Sequence, residues 1–106
     1  MTVKQITAQD ELKNILEQEE ALLLKHSLTC PISSDAKNQF EKFTGQTELP
    51  AYIIHIQENR ELSSLVAEHF DIKHESPQVF YIKNGEVKFH AYHFDITAKK
   101  LEEVTK

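Results

Sequence analysis

The chain predicts an α/β fold, and three features carry that prediction. Two near-continuous apolar runs, Ala21-Leu22-Leu23-Leu24 and Ala51-Tyr52-Ile53-Ile54, lack the alternation of a half-exposed strand and suit central strands buried on both faces. Around them, apolar residues recur at helical spacing. Near the end, Asn84-Gly85 separates two β-rich runs, the strongest short signal for a hairpin.

Taken in order, Val3 to Ile6 reads as a short first strand. Thr7-Ala8-Gln9-Asp10 has the spacing of a capping box for a helix that carries Leu12, Ile15 and Leu16 on one side and ends near Glu19. Ala21 to Lys25 is the first central strand. Pro31 to about Thr44 is a helix, with Ile32, Ala36, Phe40 and Phe43 on one face and Gly45 as its stop. Ala51 to Ile56 completes a β-α-β unit, expected to be parallel and right-handed. Asn59 is placed to cap a third helix whose Leu62, Leu65, Val66 and Phe70 face the sheet. Val79–Ile82 and Val87–Tyr92 form the hairpin, and in its second strand Val87, Phe89 and Ala91 alternate with Lys88, His90 and Tyr92, as on an edge with one wet face. A last helix begins at Thr97, with Ile96 and Leu101 at the spacing of a hydrophobic staple.

A chain of 106 residues suits one domain, taken as 1–106, that buries a core without staples. Twelve basic against 17 acidic residues give a net charge of −5, which argues against a nucleic-acid or anionic-membrane surface. No apolar run reaches the length of a membrane span and no signal peptide opens the chain, so a cytoplasmic protein is expected. A single cysteine cannot form an internal disulfide, which fits a reducing compartment.

That cysteine is the chemical centre of the sequence. Pro31 suits the first helical position, where its missing N–H costs nothing and its fixed φ fits, so Cys30 becomes the N-cap residue. An N-cap side chain points at the unpaired N–H groups of the first turn, here those of Ile32 and Ser33, and feels the positive end of the helix dipole. Both effects favour thiolate over thiol, and a helix N-terminus can lower a cysteine pKa by about 1 to 5 units. Ser33, one turn on, can donate its hydroxyl to the same sulfur.

A strand followed by C-P-x-S at the head of a helix resembles the active-site turn of the thioredoxin-like superfamily in its single-cysteine form. More narrowly, Lys25-His26-Ser27-Leu28-Thr29-Cys30-Pro31-Ile32-Ser33 resembles the monothiol bacilliredoxin (YtxJ-like) family. The resemblance implies a thioredoxin-like fold, a five-stranded mixed sheet in the order 1-3-2-4-5 with four helices on both faces. It implies removal of bacillithiol, a low-molecular-weight thiol, from mixed disulfides on cytosolic proteins, with bacillithiol as co-substrate, no tightly bound cofactor, and bacillithiolated clients as partners of a monomer. By the same resemblance Pro77, just before the first hairpin strand, matches the place of a cis-proline, which would turn the backbone of Ser76 toward Cys30 and leave it free to pair with an extended substrate. Thr29, Ser76 and Pro77 are then substrate-facing, and Cys30, Pro31 and Ser33 catalytic.

Departures from the wider superfamily sharpen this reading. Where dithiol thioredoxins carry a second cysteine, three residues after the first, this chain has Ser33, and the acid six residues before the cysteine is replaced by Leu24. A second thiol must therefore come from solution, which fits exchange through mixed disulfides. His93, Phe94 and Asp95 stand where many relatives have a glycine pair. The six histidines show no spacing of a metal-ligand set. Lys25 and His26, five and four residues before Cys30, can supply positive charge for the thiolate or for the malate carboxylates of bacillithiol, and Lys25 reads equally well as a solvated strand end. The competing function is iron–sulfur cluster binding of the monothiol-glutaredoxin kind, although Pro31 replaces the glycine of the C-G-F-S motif.

Overall fold

The computed structural model describes residues 3–105, so the ends of the expected domain, residues 1–2 and 106, lie outside the described residues. The chain runs β1 (Val3–Gln5), α1 (Gln9–Leu16), β2 (Glu20–His26), α2 (Pro31–Thr44), β3 (Ala51–His55), α3 (Arg60–Phe70), β4 (Gln78–Lys83), β5 (Glu86–Tyr92), a 3-10 turn at His93–Asp95, and α4 (Ala98–Val104). The five strands form one mixed sheet in the order β1-β3-β2-β4-β5. β3 pairs parallel with β1 and β2, while β4 pairs antiparallel with β2 and β5.

The apolar run in β2 explains its central place. Leu22, Leu23 and Leu24 are fully buried, and burying a leucine side chain stabilises by about 1.5–3 kcal/mol. Alternation sends them to opposite faces. Leu22 and Leu24 pack with Ala36, Phe40 and Phe43 of α2, Leu101 of α4 and Val79 of β4. Leu23 packs with Leu12 and Ile15 of α1, Leu62 and Val66 of α3, and Phe80 of β4. Two helices therefore cover each face, and no helix among the described residues is long and apolar enough to cross a membrane.

Three local expectations are corrected. Thr7 does not cap α1: Ala8 is the N-cap residue, and Glu11 rather than Asp10 closes the turn by accepting the N–H of Thr7 at 3.0 Å. Asn59 holds the N-cap position of α3 without a side-chain cap bond. In β5 the register passes from Ile82↔Val87 to Tyr81↔Phe89, leaving Lys88 as the extra residue of a bulge. Val87 thereby joins the α1 and α3 side, whereas Phe89 and Ala91 join the α2 and α4 side. The hairpin turn and the last helix follow expectation. Asn84 and Gly85 take φ of 53° and 80°, the left-handed pair a two-residue hairpin requires. Thr97 accepts the N–H of Lys100 at 3.2 Å, with Ile96 and Leu101 buried beside each other.

Candidate active site

β2 and β3 end at the same edge of the sheet, where His26 faces His55, and β4 begins there, with Gln78 opposite Lys25. Continuing that register sets Pro77 level with His26. Cys30 lies four residues beyond His26, and Tyr92, at the end of β5, pairs with Gln78. Residues far apart in sequence thus converge on one end of the sheet.

Cys30 is the N-cap residue of α2, with extended backbone (φ −97°, ψ 122°), Pro31 at the first helical position, and its carbonyl accepting the N–H of Ser34 at 3.2 Å. The thiol is half-buried. Its sulfur takes no cap hydrogen bond of standard length, yet the first turn is close enough to act on it. The N–H of Ser33 holds the thiol below its ordinary value, with smaller contributions from the N–H of Ile32 and the Ser33 hydroxyl, against a partial burial that pushes it up. No acidic residue sits in the first turn of α2 to oppose this. Ser33 is fully buried, and its Oγ accepts the N–H of Ser27 at 3.2 Å. Accepting on one lone pair leaves its hydrogen free to turn to the sulfur.

The Ser76–Pro77 peptide bond is cis. Among the described residues no backbone hydrogen bond occupies the N–H or C=O of Ser76, and its Oγ is buried without a partner. Pro77 is tied to the opposite strand end, since its carbonyl accepts the N–H of His93 at 3.1 Å. His93, which stands in place of a glycine, takes a left-handed φ of 55°, and its Nε2 lies 3.7 Å from Glu75 Oε2.

Lys25 and His26 do not do what their position suggested. Lys25 is 0% exposed, not a solvated strand end. Its side chain leaves β2 on the α1 and α3 side, opposite to the face that α2 covers, with Nζ 3.1 Å from His74 Nδ1 and 5.8 Å above the Phe80 ring. Burial pushes its pKa down to about 8. His26 does lie on the α2 side, but burial, helped by the charge of Lys37 and by His55, holds its imidazole below its ordinary value against the opposing pull of the Ser33 backbone and Glu41. Neither residue is among the groups that act on the Cys30 thiol, since burial disfavours the charged form of His26 and alternation turns Lys25 to the other face.

Several residues that the sequence did not single out hold the two loops. Gln57, after β3, bonds Ser27, Leu28 and Thr29. Gln78, buried, accepts the N–H of Glu75 and donates to the carbonyl of Lys73. His74 Nδ1 lies 3.3 Å from Ser63 Oγ as well as against Lys25. An ammonium offers only donors, so this Nδ1 carries no hydrogen and the ring's proton sits on Nε2. Gln78 had a signal, being a polar residue at the head of the apolar run Val79-Phe80-Tyr81-Ile82. Gln57 had none.

A five-stranded sheet of this order, with a lone cysteine capping the helix after its central strand and a cis-proline across from it, defines a thioredoxin-fold thiol protein. Solved structures agree. A proposed oxidoreductase with a thioredoxin fold superposes with a TM-score of 0.94 at 35% identity, covering 98% of this chain and 94% of that one. Thioredoxin from Trypanosoma brucei brucei gives 0.82 at 12% identity, covering 98% and 88%. Thioredoxin from Malassezia sympodialis gives 0.75 at 19%, covering 98% and 89%. Residues 4–101 match the family described as monothiol bacilliredoxin BrxC. The chain belongs to that family.

Proposed function

We propose that this chain, acting as one monomeric domain in the cytoplasm, removes bacillithiol from S-bacillithiolated proteins. The observation that carries the reading is a single cysteine at the head of α2 with a buried serine where a resolving sulfur would stand. In the first exchange the Cys30 thiolate attacks the bacillithiol sulfur of the client's mixed disulfide. A bond forms between Cys30 Sγ and that sulfur, and the client leaves as thiolate. In the second, a free thiol from solution attacks the new mixed disulfide and Cys30 leaves as thiolate, stabilised by the first-turn N–H groups and Ser33 that favoured it at the start. No net oxidant or reductant beyond that thiol is needed.

Thr29 and Pro31, both exposed, flank the sulfur in sequence, and the unoccupied backbone of Ser76 supports strand-like pairing with an extended client segment beside Pro77. Leu28, Tyr92 and Phe94 are 49%, 43% and 73% exposed and stand at this end of the sheet, which favours a protein client over a small polar disulfide. The test is intact mass after mixing the protein with a bacillithiolated client. The bacillithiol mass should move onto this chain and fail to move onto a Cys30→Ser variant. A client that keeps its modification would sink the proposal, and a brown, iron-containing preparation would favour cluster binding instead.

A further inference from the structure

Gln57 is an exposed residue in the loop between β3 and α3, and yet its amide makes three bonds to a single turn of the chain. Nε2 donates to Ser27 Oγ at 2.7 Å and to Thr29 Oγ1 at 3.3 Å, while Oε1 accepts the N–H of Leu28 at 3.0 Å. The Leu28 N–H requires an oxygen opposite it, which fixes the orientation of the amide. Ser27, Leu28 and Thr29 are all that separate the end of β2 from Cys30.

The first of these contacts leads to the sulfur. Ser27, held by its side chain to Gln57, gives its backbone N–H to Ser33 Oγ at 3.2 Å. Ser33 is sealed in, so its hydroxyl has little choice of orientation once that N–H occupies a lone pair. We propose that Gln57 is a positioning residue for the exchange at Cys30: by fixing residues 27–29 it fixes the Ser27 N–H, and through it aims the Ser33 hydroxyl at the sulfur. Gln57 acts at a distance through two serines and touches no reacting atom.

This inference rests on the reading of Cys30 as the reacting thiolate, so its test reads the sulfur directly, without bacillithiol. The rate of Cys30 alkylation by iodoacetamide is followed against pH for the parent and for Gln57→Ala, with Gln57→Leu as a second variant that keeps the stem and loses the bonds. Circular dichroism checks that each exposed-site variant stays folded. Both should raise the midpoint of the pH profile and slow alkylation at pH 7 by about 2- to 10-fold, the worth of one hydrogen bond. In a Ser33→Ala background the same substitutions should change the rate less than about 2-fold, because the hydroxyl they act through is gone. An unchanged profile in the parent background, or the same shift in both backgrounds, overturns the proposal. A parent whose own midpoint lies in the ordinary thiol range would instead overturn the thiolate reading, which is a separate result.

Discussion

The loop before Cys30 and the loop before Pro77 arrive at neighbouring strands of the same sheet end, yet they are anchored by different chemistry. The first is held by neutral amide and hydroxyl groups at the surface, Gln57 against Ser27, Leu28 and Thr29, with one buried member, Ser33. The second is held from beneath by buried or titratable groups, Lys25 against His74, Gln78 against Lys73 and Glu75, and His93 against Glu75. Surface bonds between neutral groups cost little when broken and change little with pH. Buried ones leave unpaired groups or uncompensated charge when broken. The comparison therefore separates the tuning of the sulfur proposed for the first loop from the holding of the Pro77 loop to the core.

Lys25→Ala should show the largest effect. It removes a fully buried stem and takes the ammonium donor from His74 Nδ1, for a loss of about 2–4 kcal/mol in urea unfolding. Lys25→Met, which conserves volume and removes the buried charge, should stay within about 1.5 kcal/mol of the parent. Neither should move the Cys30 alkylation midpoint. If Lys25→Ala shifts that midpoint, the two loops are not independent, and if it leaves stability untouched, the buried lysine does not hold the second loop.

The next effect is a slope. Lys25 has a folded pKa of about 8 against an ordinary 10.5, so between those values the unfolded chain binds more protons than the folded one, and stability rises as pH rises. Below about pH 8 both states carry the charge and this dependence vanishes. Cys30 has the same sign, since its folded value is also depressed, but it is common to the parent and to Lys25→Met and cancels in their difference. That difference in unfolding free energy should grow in the parent's favour from about pH 8 to 10. A flat difference would put the lysine in solvent.

The smallest effect is on a neighbour. His74 is held below its ordinary value first by burial and then by Lys25, with Glu75 opposing both. Removing the lysine charge in Lys25→Met should bring the His74 midpoint upward in an NMR titration assigned with His74→Gln. A midpoint that stays put would mean that burial alone sets it.

The contrast also marks what sequence reasoning could reach. The elements and the two buried faces of β2 follow from patterns local to each segment, the leucines of β2, the Asn84-Gly85 turn and the spacing along α2, whereas the strand order comes only from the resemblance of the chain to the thioredoxin-like superfamily. Cys30 at a helix head is local too, since Pro31 announces it. What escaped was set by neighbours distant in sequence. Gln57 meets Leu28 across 29 positions and Lys25 meets His74 across 49, and no periodicity encodes either meeting. Lys25 departs from both readings of its position, because a charged residue at a strand end is ordinarily solvated and here its ammonium is buried against His74, which is itself bonded to Ser63. The Lys88 bulge was hidden for a similar reason. Polar and apolar residues still alternate through it, and only the register with Tyr81 and Ile82 reveals which face each takes.

Having a serine three residues after the only cysteine sets what kind of gauge the chain can be. A dithiol protein releases two small thiols when it closes its own disulfide, so its state depends on the square of the free-thiol concentration and shifts whenever the pool is diluted or concentrated. In the exchange proposed for Cys30, one thiol is traded for one mixed disulfide. The modified fraction of Cys30 would then follow the ratio of the two forms of its partner thiol and ignore their total amount. A cell that grew, shrank or doubled its thiol pool at constant ratio would find this protein unchanged.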